Sequence, residues 1–169
     1  MCGIAGLIHK GKSSNVGGEM TAMLQALKHR GPDSTGYAVY GEPEEGDYIM
    51  RLKVAEAEDM DSGRGIHQVL DDRIATVESI LEENGAKVKS KERVRPYALR
   101  YVLSHDGDTG NMAEHIEETE GVEILSLGNG LELIKDLGDA SDVAEAYGLN
   151  EFTGTHGIGH TRMATESDV

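Results

Sequence analysis

The chain has 169 residues, 16 basic and 31 acidic side chains for a formal net charge of −15, a single cysteine and no tryptophan. That length suits one domain, at most one carrying a sizeable insertion, and so acidic a surface repels phosphate backbones and anionic headgroups, arguing against nucleic acid or a membrane surface as partner. One cysteine excludes an intrachain disulfide, no apolar run approaches the ~18 residues of a spanning helix, and the amino-terminal apolar run lacks a basic start and breaks at His9, unlike a signal peptide; a cytoplasmic protein is expected.

In chain order, Gly3 to Ile8 is a short apolar run that reads as a buried strand, and the polar, Gly/Ser-rich stretch from His9 to Asn15 reads as a loop. Val16, Met20, Met23, Leu24 and Leu27 then recur at i, i+4, i+7, i+8 and i+11, one face of a helix that Ser14 or Asn15 is placed to cap. Gly31 and Pro32, within His29-Arg30-Gly31-Pro32-Asp33, end it. Gly36 to Tyr40 and Tyr48 to Val54 read as two strands joined by an acidic turn around Pro43 to Asp47.

From about Ala55 the texture changes. Ile66, Val69, Leu70, Ile74, Val77 and Leu81 mark a long amphipathic helix that Asn84-Gly85 stops. A basic patch from Lys87 to Arg95 precedes a strand-like run, Tyr97 to Leu103. Thr109 is placed to cap a short helix that Gly121 terminates. Val122 to Leu127 and Leu131 to Ile134 flank Asn129-Gly130, a two-residue hairpin signal, and Ser141 starts a last short helix ending near Gly148. Residues from about 55 to 150 thus read as a small α+β unit inserted between two glycine-rich ends.

The ends carry the chemistry. Cys2 follows the initiator Met, which aminopeptidases remove when the next side chain is small. The resulting α-amine, with a pKa of about 8, would be partly neutral near pH 7 and could take the proton of its own thiol, supplying nucleophile and base in one residue. Read alone, Cys2 is equally an ordinary small residue at position 2. Metal readings are weaker. Asp106, Asp108 and Glu117 sit at positions 1, 3 and 12 of a calcium-loop count, but Asn111 occupies position 6, where the sharp turn wants glycine. His156 and His160 have the i, i+4 spacing of some zinc sites, but in a strand-like segment they share no helical face. A solvated acidic loop and two structural histidines are the expected readings, with no metal and no cofactor.

Met-Cys-Gly-Ile-Ala-Gly at the start, Leu-Lys-His-Arg-Gly-Pro-Asp-Ser-Thr-Gly from Leu27 to Gly36, and Gly-His-Thr-Arg-Met-Ala-Thr from Gly159 to Thr165 occur in that order. Together they resemble the glutaminase domain of class II glutamine amidotransferases, a branch of the N-terminal-nucleophile hydrolases. The match covers the first forty or so residues and the last eighteen.

The resemblance implies an α+β fold, a four-layer αββα sandwich, with residues 1–169 forming a partial amidotransferase domain. It implies Cys2 as the nucleophile that takes glutamine through a thioester, and Arg162 as the partner of the substrate α-carboxylate, a role its planar fork suits. Thr165 would line the same pocket, and Arg30 and Asp33 would shape the turn beside the nucleophile. The long middle segment and the Glu166-Ser167-Asp168 tail are most similar to stand-alone subunits of the glutamate synthase type, including those of methylamine–glutamate N-methyltransferase-like systems. Such a subunit hands ammonia to a separate synthase polypeptide.

The family's oxyanion-hole segment, His-Asn-Gly, and a following aspartate that holds the substrate amine lie downstream of the arginine motif, and neither is found before Val169. Asn129-Gly130 precedes that motif and does not stand in. A C-terminally truncated domain with an incomplete core and an exposed sheet edge is expected. The alternative function is a non-catalytic scaffold or interaction subunit that retains the fold.

Overall fold

The computed structural model describes residues 2–43, 46–61 and 65–163. The elements are β1 (Gly3–Ile8), α1 (Val16–Ala26), β2 (Ser34–Tyr40), β3 (Tyr48–Lys53), α2 (Ile66–Glu83), β4 (Lys87–Arg95), β5 (Ala98–Ser104), α3 (Thr109–Glu117), β6 (Glu123–Gly128), β7 (Leu131–Leu137), α4 (Ala140–Ala146) and β8 (His156–Arg162). Among the described residues the fold is α+β, with four α-helices and two four-stranded antiparallel sheets. No helix among them is long and apolar enough to cross a membrane. The chain divides into two compact units, one built from residues 1–43 and 130–169, the other from the contiguous stretch 44–129.

The first unit holds a sheet in the order β1-β8-β2-β7. Asn15 caps α1, its side-chain oxygen accepting from the Gly18 amide at 2.9 Å. Of the apolar stripe on α1, Val16, Met20 and Leu24 are fully buried, while Met23 is exposed. These side chains reach the sheet because β8 presents glycines to them. A Cβ on Gly159 would lie 2.5 Å from Leu24 Cδ1, and one on Gly157 3.2 Å from Val16 Cγ1. Opposite the helices, alternate strand positions are open to solvent. Ile4 is 73% exposed, Ile8 81% and Ile158 58%.

The second unit is a sheet in the order β4-β5-β3-β6 with α2 and α3. Leu70, Ile74, Val77 and Leu81 of α2 are buried, as the periodicity requires, and Val69 is exposed. The helix ends in paired C-terminal bonds: Gly85 donates to the Glu82 carbonyl and Ala86 to the Leu81 carbonyl, both at 2.9 Å. Gly85 takes φ +75°, the left-handed conformation this cap needs.

Three local expectations are corrected. Asn129-Gly130 does not close a hairpin. Neither residue has the positive φ that such a turn demands; β6 pairs with β3, and β7 pairs with β2 in the other sheet. The patch Lys87–Arg95 is itself a strand, paired to β5 along an edge, whose mostly exposed residues show no apolar alternation. The last two helices are capped one and two residues earlier than Thr109 and Ser141, by the carboxylates of Asp108 and Asp139. An aspartate accepts from the first free amides as well as a hydroxyl does.

Candidate active site

Cys2 is exposed immediately before β1. In the antiparallel pair of β1 and β8, Gly3 lies opposite Thr161. Cys2 and Arg162 are the next residues in the chain beyond that pair. On the other flank of β8, Ser34 of β2 is opposite Arg162. The amino-terminal and arginine motifs therefore meet at one end of one sheet, although 160 positions separate Cys2 from Arg162 in the chain.

The turn from Arg30 to Asp33 closes the same corner. Arg30 Nε donates to the Cys2 carbonyl at 3.4 Å, and the Asp33 amide donates to the Arg162 carbonyl at 3.1 Å. Between them, Gly31 has extended backbone, φ −177°, so its requirement is for space rather than conformation. A Cβ there would sit 2.5 Å from the Arg162 carbonyl carbon and 2.8 Å from both the Arg162 and Met163 nitrogens. Gly3 is similarly confined, since its Cβ would lie 2.9 Å from Thr161 Oγ1 and 3.1 Å from Leu27 Cβ. The Thr161 hydroxyl is buried and finds no hydrogen-bond partner among the described residues. Thr161 lies within the Gly159–Thr165 motif, which by itself gives this hydroxyl no role.

An ion pair anchors the turn from behind. Lys28 Nζ lies 2.6 Å from Asp139 Oδ2, and Gln25 Nε2 donates to Asp139 Oδ1 at 2.7 Å. The Lys28 ammonium, with further hydrogen bonds from Gln25 and the Ser141 and Asp142 amides, holds the Asp139 carboxyl down at about 2, against desolvation, which acts the other way. Asp139 thus ties the 3₁₀ turn Lys28–Arg30 to the start of α4.

Arg162 is exposed, and its guanidinium has no hydrogen-bond or ion-pair partner among the described residues. Strand alternation sets Arg162 and His160 of β8, with Lys135 of β7, on the open face of the first sheet. That face carries no acidic strand position, because Glu132 and Asp136 of β7 are buried on the helix side. In a chain with 31 acidic residues, the corner around Cys2 and Arg162 is suited to a carboxylate.

Thr165 lies outside the described residues. Arg30, Asp33, Cys2 and Arg162 all converge on this corner. Among the described residues no cluster of potential metal ligands occurs. Asp108 caps α3, Glu117 accepts from the Ile124 amide at 3.2 Å, and His156 stacks on Tyr40 with centroids 4.0 Å apart.

No family model matches the chain. It is 36% identical over its whole length to a protein of Methanothermobacter thermautotrophicus named "Putative glutamine amidotransferase". It is 31% identical, again over its whole length, to the "Glutamine amidotransferase-like protein GlxB" of Rhizobium meliloti. The chain spans about half the length of these curated relatives, 54% and 52%. Both relatives are named for glutamine amidotransferases.

Proposed function

We propose that the chain is the glutaminase part of a class II, N-terminal-nucleophile glutamine amidotransferase, passing ammonia to a glutamate synthase-like partner in the cytoplasm. The observation that carries this reading is the meeting of Cys2, the Arg30–Asp33 turn and Arg162 at one sheet corner. The open apolar face around Ile4, Ile8 and Ile158 supports the αββα sandwich, since it offers a second sheet a layer to pack against.

With Met1 removed, the Cys2 amine takes the thiol proton and the thiolate attacks the side-chain carbonyl carbon of glutamine. The tetrahedral adduct collapses, the C–N bond breaks, and the departing nitrogen takes the proton back to leave as ammonia. Water then attacks the thioester, releasing glutamate and restoring the thiol. Arg162 holds the substrate α-carboxylate through the two-pronged contact a guanidinium makes. Arg30, bonded to the Cys2 carbonyl, and Asp33, bonded to the Arg162 backbone, set the spacing between nucleophile and carboxylate site.

Intact-mass measurement before and after exposure to a diazo-ketone norleucine analogue of glutamine tests the proposal. Loss of Met1 with one adduct on Cys2, prevented by excess glutamine, is expected. An R162K chain should lose most of the adduct, because the analogue carries the same α-carboxylate as glutamine and an ammonium cannot reproduce the planar fork. Retained Met1 would overturn the mechanism, and loss of Met1 without an adduct would favour the scaffold reading.

A further inference from the structure

The second unit contains a cleft of about 400 Å³ lined by His67, Asp71, Arg93, Val94, Arg95 and Pro96. His67 and Asp71 stand one turn apart at the start of α2, and the other four residues are consecutive at the end of β4. Alternation in a regular strand would turn every second side chain away. Here the β4–β5 register slips between Arg93 and Arg95, and such a bulge re-aims neighbouring side chains onto one side. Two guanidiniums and an imidazole consequently border one space, in a chain whose net charge is −15.

The single carboxylate there is already committed. Asp71 Oδ1 lies 2.8 Å from Arg93 Nη1, and Arg93 Nε donates to the Pro96 carbonyl at 2.9 Å. Those two bonds fix the Arg93 guanidinium and leave Nη2 to a ligand. Gly65 supplies no side-chain cap to α2, and no acidic side chain stands in its first turn, so the positive end of an 18-residue helix adds to the same field.

We propose that this cleft is a binding site for a small phosphate-bearing molecule, held by Arg93 and Arg95 with His67 at the helix start. Donors converging from a helix and a strand end match a tetrahedral oxyanion, which accepts from several directions. The site involves none of the residues placed around Cys2, and it stands whether or not the glutaminase reading does.

The test is titration of the full chain with inorganic phosphate at constant ionic strength, read by amide NMR shifts and by melting temperature. Saturable shifts centred on His67 and on Arg93–Pro96, with a rise in melting temperature, are expected. H67A and R95Q should each weaken binding by about tenfold, the scale of losing one charge-assisted contact. His67 is exposed, so H67A keeps the test valid if R95Q fails to fold. An equal response to acetate or chloride would overturn the proposal. So would a phosphate response unchanged in H67A.

Discussion

Adding one methyl group at Gly31 tests the corner directly. The backbone there is extended, φ −177°, so alanine carries no conformational penalty and the effect is purely one of approach. The new Cβ would fall 2.5 Å from the Arg162 carbonyl carbon and 2.8 Å from the Arg162 and Met163 nitrogens. These are backbone atoms of the chain around β8 and cannot swing aside as a side-chain tip would. Relief requires the turn to lift off the strand, lengthening the 3.1 Å bond from the Asp33 amide to the Arg162 carbonyl. Overpacking costs about 1–3 kcal/mol and a lost hydrogen bond about 1 kcal/mol, so G31A should be destabilised by about 2–4 kcal/mol. Hydrogen exchange provides the local readout, with the Asp33 amide and neighbouring β8 amides losing protection first. Urea unfolding gives the overall loss. G128A is the control, since nothing lies within 4 Å of its added Cβ, and it should change stability by less than about 0.5 kcal/mol. A G31A chain with parental stability and parental exchange in β8 would refute the close approach of the two motifs.

Asp139 has its carboxyl held at about 2 against a usual 3.8. The stability it contributes is therefore complete above pH 3.8 and is lost as pH falls toward 2. D139A should lose about 1 kcal/mol at neutral pH through the missing cap and show a flatter acid limb in pH-dependent unfolding. Burial pushes the Tyr37 hydroxyl up to about 12, where it donates to the Ala140 carbonyl at 2.9 Å. Stability should accordingly fall as pH rises from 10 toward 12, and Y37F should cost about 1 kcal/mol while flattening that alkaline slope, part of which remains with Tyr101, whose hydroxyl burial also raises. Leu24 is fully buried, so L24A should cost about 2–5 kcal/mol by urea unfolding. G85A, forcing a side chain into φ +75°, should cost about 1–2 kcal/mol.

Much of the local structure was legible because its causes are local. The stripes of α1 and α2 follow from a 3.6-residue repeat, and the stop at Asn84-Gly85 follows from glycine's freedom at φ +75°. Strand pairing was not legible. Asn129-Gly130 has the composition of a hairpin turn, yet β6 and β7 belong to different sheets, because the flanking strands find their partners elsewhere and the turn backbone never reaches positive φ. Edge strand β4 was missed for a related reason. Most of its residues are exposed, so hydrogen bonding to β5 makes it a strand while no burial pattern records the fact.

The candidate site divides the same way. Cys2 stood out by its place after the initiator Met, whereas Arg162 was marked only by the resemblance of the three motifs together. Their meeting depends on β8 inserting between β1 and β2. The glycines at positions 3 and 31 leave room for backbone and side chains that arrive from the far end of the chain. Sequence determined which groups could react and which segments would coil or extend. The tertiary structure alone decided which of their segments meet, because the pairing of Gly3 with Thr161 is set by sheet order and packing, and neither leaves a local periodicity.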